Sequence, residues 1–142
     1  MPVRFLLDTN VVSEPVRPRP EPQLLRWLDQ WELDDLSVSS ITFGEIQKGL
    51  LQLQPGAKRD ALTRWYEDDV YEKFRDRVLP VDIPVAREWG RLVAESIRTG
   101  RTLSVPDGLL LATATIHRLV LVTRNERDCA GRGVDLVNPW NG

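Results

Sequence analysis

The segment PDGLLLATATIHRLVLVTRN, Pro106 to Asn125, decides the fold. Pro106 suits the first turn of a helix, and GLLLATATI after it is apolar on most of its circumference, which predicts a central helix. Leu119 to Thr123 (LVLVT) is a continuous β-type run of the kind buried on both faces. A buried helix feeding directly into a buried strand is one half of a parallel α/β repeat.

Working outward, the same alternation recurs. Val3 to Leu7 reads as an opening strand, and Leu36 to Ser39 (LSVS), Val78 to Val81 and Val134 to Val137 read as short strands. Between them, Leu24, Leu25 and Leu28, with Trp31 beyond, recur at helical spacing after Pro22. Ile46, Leu50 and Leu53 share a stripe of a helix over Ile41 to Leu53. Leu62, Trp65, Tyr66, Val70 and Phe74 mark a longer helix after the Pro55-Gly56 break. Val85, Trp89, Leu92, Val93 and Ile97 mark one that stops at Thr99-Gly100. Short strands alternating with helices predict a three-layer α/β/α sandwich around a short, mostly parallel sheet. At 142 residues, 42% apolar and 28% charged, the chain reads as one domain spanning residues 1–142. PVRPRPEP, Pro15 to Pro22, is an extended bridge to the second helix.

Composition narrows the function. A net charge of −2 supplies no general drive toward nucleic acid, so any polyanion must be held locally by arginines or bound cations. The single cysteine, Cys129, cannot form an internal disulfide, and Val3 to Leu7 is too short for a secretion signal, so a cytoplasmic location is expected. No apolar run is long enough to cross a membrane. GxxxxGK[ST] and GxGxxG are absent, which removes nucleotide-binding loops of those kinds.

In an open parallel sheet, ligands sit beyond the C-terminal ends of the strands. Asp8-Thr9-Asn10 follows the first strand, Glu45 lies early in the helix after the second, Asp107 opens the central helix, and Thr123-Arg124-Asn125 follows LVLVT. Three carboxylates are therefore expected at one edge. Crowded there, they must protonate or share a cation, and a hard divalent ion prefers such oxygen ligands. Metal-assisted phosphodiester hydrolysis is the chemistry this implies.

Each residue also has a plainer reading. Asp8 can cap a short Thr9 to Ser13 helix; Thr42-Phe43-Gly44-Glu45 fits a capping box; Asp107 favours a helix dipole. Against the last, Leu110, Leu111 and Ala114 follow Asp107 on one stripe, so it heads the core-facing side. His117, the only histidine, suits a helix C-terminus, Cys129 suits packing, and tryptophans 27, 31, 65 and 89 suit core or interface positions. Arg17 and Arg19, and the group Arg124, Arg127 and Arg132, are candidate phosphate contacts, though loop arginines are most often solvated.

LLDTNVVSE, SSITFGEIQKGL, LPVD with AREWGRL, PDGLLLATA, LVTRNERD and the closing VNPW together resemble PIN-domain ribonucleases, specifically VapC-type toxins of the FitB-like kind. The resemblance runs over nearly the whole chain. It implies a Mg²⁺-dependent endoribonuclease, with Mn²⁺ as substitute, acting as the toxin of a type II toxin–antitoxin pair. Asp8, Glu45 and Asp107 would be its catalytic acidic residues, Asp8 and Asp107 direct metal ligands, Glu45 a further one. Asn10 would orient Asp8, Thr123 would sit beside the pocket, and Arg124 would contact RNA. Many relatives carry Asp after the Thr-Arg pair, where this chain has Asn125. Either Asn125 contributes through its carbonyl, or Asp128 reaches the site from the loop. The implied partners are an RNA substrate, a second copy in a homodimer, and a cognate antitoxin in a larger hetero-oligomer. A catalytically weak binding module, acting with its antitoxin as a DNA-bound autorepressor, is the competing expectation. An aspartyl-phosphate phosphatase fits less well, because Asn10 stands where a second Asp is wanted.

Overall fold

The computed structural model describes residues 4–141. Within them, strands β1 (Phe5–Leu7), β2 (Leu36–Ser39), β3 (Val78–Leu79), β4 (Val120–Val122) and β5 (Leu136–Val137) form one sheet in the order β3-β2-β1-β4-β5. Every pairing is parallel. The opening strand is thus the middle of the sheet, with Leu7 beside Val38 on one side and Val122 on the other. The chain winds first from β1 toward β3 and then returns to β4, so the winding reverses between β1 and β4. In sheets of this kind, ligand sites lie beyond the C-terminal strand ends beside such a reversal.

Alternation along β1 divides the core. Phe5 and Leu7 join a buried cluster with α1 (Thr9–Ser13), α2 (Pro22–Asp29), α3 (Ser40–Gln52) and α5 (Tyr71–Phe74), through Val11, Val12, Leu24, Ile46, Leu50 and Phe74. Leu6 joins Leu121 and the apolar side chains of α6 (Ile83–Thr99) and α7 (Val105–His117) on the opposite face. Successive β side chains point to opposite faces, so a three-residue strand feeds both layers. The expected three-layer α/β/α architecture is what forms. Gly108, Leu110, Leu111, Ala112, Thr113 and Ala114 are all buried, which makes α7 the central helix its composition implies.

Several boundaries differ from the expectation. The strand begun at Val3 is described only from Phe5, Val3 lying outside the described residues. Strand β3 stops at Leu79 because Pro80 has no N–H for the ladder. The helix expected over Ile41 to Leu53 starts at Ser40, capped by the Ser39 hydroxyl, which accepts the Ile41 N–H at 3.1 Å. This cap displaces the Thr42–Glu45 capping box. The long helix around Leu62 to Phe74 is α4 (Ala57–Arg64) joined to α5 by π-helical turns over Trp65–Val70. Ile97, placed on the apolar stripe by its sequence, is 78% exposed. Val85, Trp89, Leu92 and Ser96 hold the 3–4 spacing, and Ile97 lies a further 100° round the helix. Buried Ser96 takes the place and accepts from the Arg132 guanidinium at 2.6 Å.

Candidate metal centre

Strand β1 delivers Asp8 to the C-terminal edge of the sheet. The Asp8 N–H completes the ladder to the Val122 carbonyl at 3.0 Å, and the chain then turns into α1. Asp8 caps that helix: its Oδ1 accepts the N–H groups of Asn10 (2.8 Å) and Val11 (3.2 Å). Oδ2 accepts the Thr123 hydroxyl at 2.6 Å. The plain capping reading is therefore correct as far as it goes. It leaves a buried carboxylate without an ion-pair partner among the described residues. Burial pushes the Asp8 carboxyl above the ordinary aspartate range, against the pull of the Thr123 hydroxyl and the two N–H groups, and the negative charge of Asp107 adds to the rise.

Asp107 reaches the same place from α7. Ser104 caps that helix by accepting the Asp107 N–H at 3.2 Å, which leaves the carboxylate half-buried and free of capping duty. Next to it, Gly108 leaves room for Trp89 of α6; a Cβ at Gly108 would stand 2.9 Å from the indole Cδ1. That close approach fixes the start of α7, and hence Asp107, against α6. Asn125 donates its side-chain amide to Asp107 Oδ2 at 2.7 Å, and its backbone N–H donates to Thr123 Oγ1 at 3.0 Å. Cys129, on α8 (Glu126–Cys129), is fully buried nearby, and its thiol is pushed up to about 12 by burial and by the negative charges of Asp107, Asp8 and Asp128. It packs and stays protonated.

Glu45 behaves differently from the expectation of a three-acid cluster. It accepts the Thr9 hydroxyl at 2.5 Å, and that hydroxyl lies 3.1 Å from the Thr42 hydroxyl. Among the described residues no three Asp, Glu, His or Cys side chains close into a group that could hold a metal ion. Asp8 and Asp107 are joined through Thr123 and Asn125, while Glu45 is tied to Thr9, the first residue of α1. Asn10 also differs: its backbone N–H, not its exposed side chain, orients Asp8. Asp128 is exposed, and its side chain makes no hydrogen bond among the described residues, whereas Asn125 touches Asp107. Arg124 is exposed and lies over the Trp140 ring at 5.2 Å.

Two arginines brace the segment that carries Asn125. Arg101 donates to the carbonyls of Ala130 (2.9 Å) and Arg127 (3.0 Å), and Arg132 to those of Asp128 (2.8 Å) and Thr102 (3.3 Å). Arg132, a candidate phosphate contact by sequence, is committed to this brace. Glu14 is a further buried carboxylate. It is as buried as Asp8, accepts the Glu21 N–H at 2.9 Å and holds the proline-rich bridge to α1. No local signal in VVSEP separates it from a solvated acid.

A divalent ion such as Mg²⁺ needs only one or two protein carboxylates, water and phosphate oxygens completing its octahedron. Asp8 Oδ2 has a lone pair to spare beyond the Thr123 bond, and Asp107 Oδ1 accepts no hydrogen bond among the described residues. The donor set fits such an ion.

The chain belongs to the PIN-domain family, whose model matches residues 5–130. It is 36% identical over 137 residues to Toxin FitB of Neisseria gonorrhoeae, covering 96% of this chain and 99% of that one. It is 33% identical to VapC ribonuclease Y4jK of Sinorhizobium fredii, over 96% of this chain and 97% of that relative. The crystal structure of FitAcB from Neisseria gonorrhoeae superposes with a TM-score of 0.90 at 36% identity, covering 97% of this chain and 99% of that one.

Proposed function

We propose that the protein is a divalent-metal-dependent endoribonuclease and the toxin of a type II toxin–antitoxin pair. The observation that carries this reading is a pair of aspartates, one of them buried, joined through Thr123 and Asn125 at the C-terminal edge of the sheet, with no ion-pair partner for either among the described residues. A bound Mg²⁺ or Mn²⁺ would supply positive charge that stabilises a phosphodiester transition state and lowers the pKa of bound water. Asp8 and Asp107 would hold it, with Thr123 and the α1 backbone fixing Asp8 and Asn125 fixing Asp107. Glu45, held by Thr9, would stand at the margin as a base or outer ligand. Arg124, stacked on Trp140, would take an RNA phosphate, which reconciles a slightly acidic chain with a polyanionic substrate.

An antitoxin has a suitable seat. A groove of about 510 Å³ runs from Thr9 and Glu45 past Ile46, Leu50 and Leu62 to Trp65. An apolar peptide ending in arginine matches it, the guanidinium meeting Glu45.

Purified chain is expected to cut RNA with Mg²⁺ or Mn²⁺ and to stop on chelation, and both Asp8→Asn and Asp107→Asn are expected to abolish cleavage. Cleavage persisting in both variants refutes the assignment. Neutral Asn125 between the acids favours a second reading, a catalytically weak module that acts with its antitoxin on DNA; brisk cleavage by the isolated chain rejects it.

A further inference from the structure

Among the described residues Asn125 links both halves of the centre. Its backbone N–H reaches Asp8 through the Thr123 hydroxyl (3.0 and 2.6 Å), and its amide reaches Asp107 Oδ2 directly at 2.7 Å. A carboxylate accepts only, so the NH₂ group, not the carbonyl, faces Asp107.

We infer that Asn125 is a specificity-determining residue for metal number: its amide occupies the face of Asp107 that a second cation would need and limits the centre to one divalent ion. This rests on the metal-centre reading above. Two ions ~3.5–4 Å apart repel strongly and need several carboxylates to hold them. Here two aspartates are joined through Thr123 and Asn125, Glu45 is engaged by Thr9, and Asp128 is exposed with no side-chain hydrogen bond to either among the described residues. Asn125 adds no charge. It also fills a lone pair of Asp107 with a neutral donor that water or an ion would otherwise take. An acid at position 125 would instead set two carboxylates against each other at hydrogen-bond distance.

The test is a Mn²⁺ titration of the metal-free full chain, with free Mn²⁺ read by electron paramagnetic resonance, alongside Asn125→Asp. The wild-type chain is expected to bind one Mn²⁺. N125D is expected to take a second, as an added carboxylate in place of the amide allows. Without metal, N125D is expected to melt several degrees lower and to recover on adding Mn²⁺. Two ions on the wild-type chain overturn the inference and leave the metal centre standing, and this count does not depend on the variant folding. A single ion on folded N125D, whatever its affinity, also overturns it. No Mn²⁺ bound by the wild-type chain overturns the metal centre itself, and this inference with it.

Discussion

Asp8 and Glu14 flank the same short helix and are equally hidden, each 4% exposed, yet their surroundings differ in kind. Glu14 accepts a backbone N–H from Glu21 and lies 3.5 Å from the Arg17 guanidinium, so its charge is met within its own loop. Asp8 is held by two N–H groups and a hydroxyl, with no cation among the described residues. Buried carboxylates are retained only when paired, hydrogen-bonded or bound to metal. The difference separates a charge met by a cation of its own loop from one met only by neutral donors.

Four measurements break or sharpen that contrast. The largest expected effect is on RNA cleavage: Asp8→Asn is expected to lower the initial rate at least about a thousandfold, the equivalent of several kcal/mol of lost charge stabilisation. Glu14→Ala is expected to cleave at close to the wild-type rate in its folded fraction, and a collapse of both rates would erase the distinction. Next, Mn²⁺ at a hundredfold excess over its Kd is expected to add about 2.7 kcal/mol to unfolding stability in the wild-type chain and in E14A, and nothing in D8N. Urea melts with and without the ion decide this. Third, E14A leaves the Glu21 N–H without its acceptor, and is expected to lose about 1–3 kcal/mol in a metal-free urea melt.

The smallest effect is a pH slope. Because burial raises the folded carboxyl of Asp8, the unfolded chain gives up this proton first as pH climbs. This group's contribution to stability is therefore fully present below the ordinary aspartate range, and is lost as pH rises through the raised folded value. Metal-free wild type is expected to show that decline in thermal melts and D8N to lack it. An equal slope in both would assign the decline to other groups.

Much of this was legible in the sequence where the cause is local. LSVS gives β2 at its observed bounds, Asp8 caps the Thr9–Ser13 helix, and the apolar circumference of GLLLATATI puts α7 in the centre. What escaped depends on partners far along the chain. Thr123 reaches Asp8 across the sheet, Asn125 turns its amide to Asp107, and Thr9 takes Glu45 away from a cap that Ser39 fills. Periodicity places a side chain on a face but says nothing of which hydroxyl it meets there. Ile97 shows the complementary failure, an apolar residue one step past the stripe whose buried place goes to a serine.

The central place of β1 has a consequence for the timing of synthesis. Asp8 and Thr123 are 115 residues apart in sequence. At ~5–20 residues per second, roughly 6–23 s separate the emergence of the two from a ribosome. Until then the middle strand lacks its β4 neighbour, and Asp8 lacks both its hydroxyl and Asp107. The Asp8–Thr123 bond can therefore close only when nearly the whole chain is out, however much of the first half has folded by then.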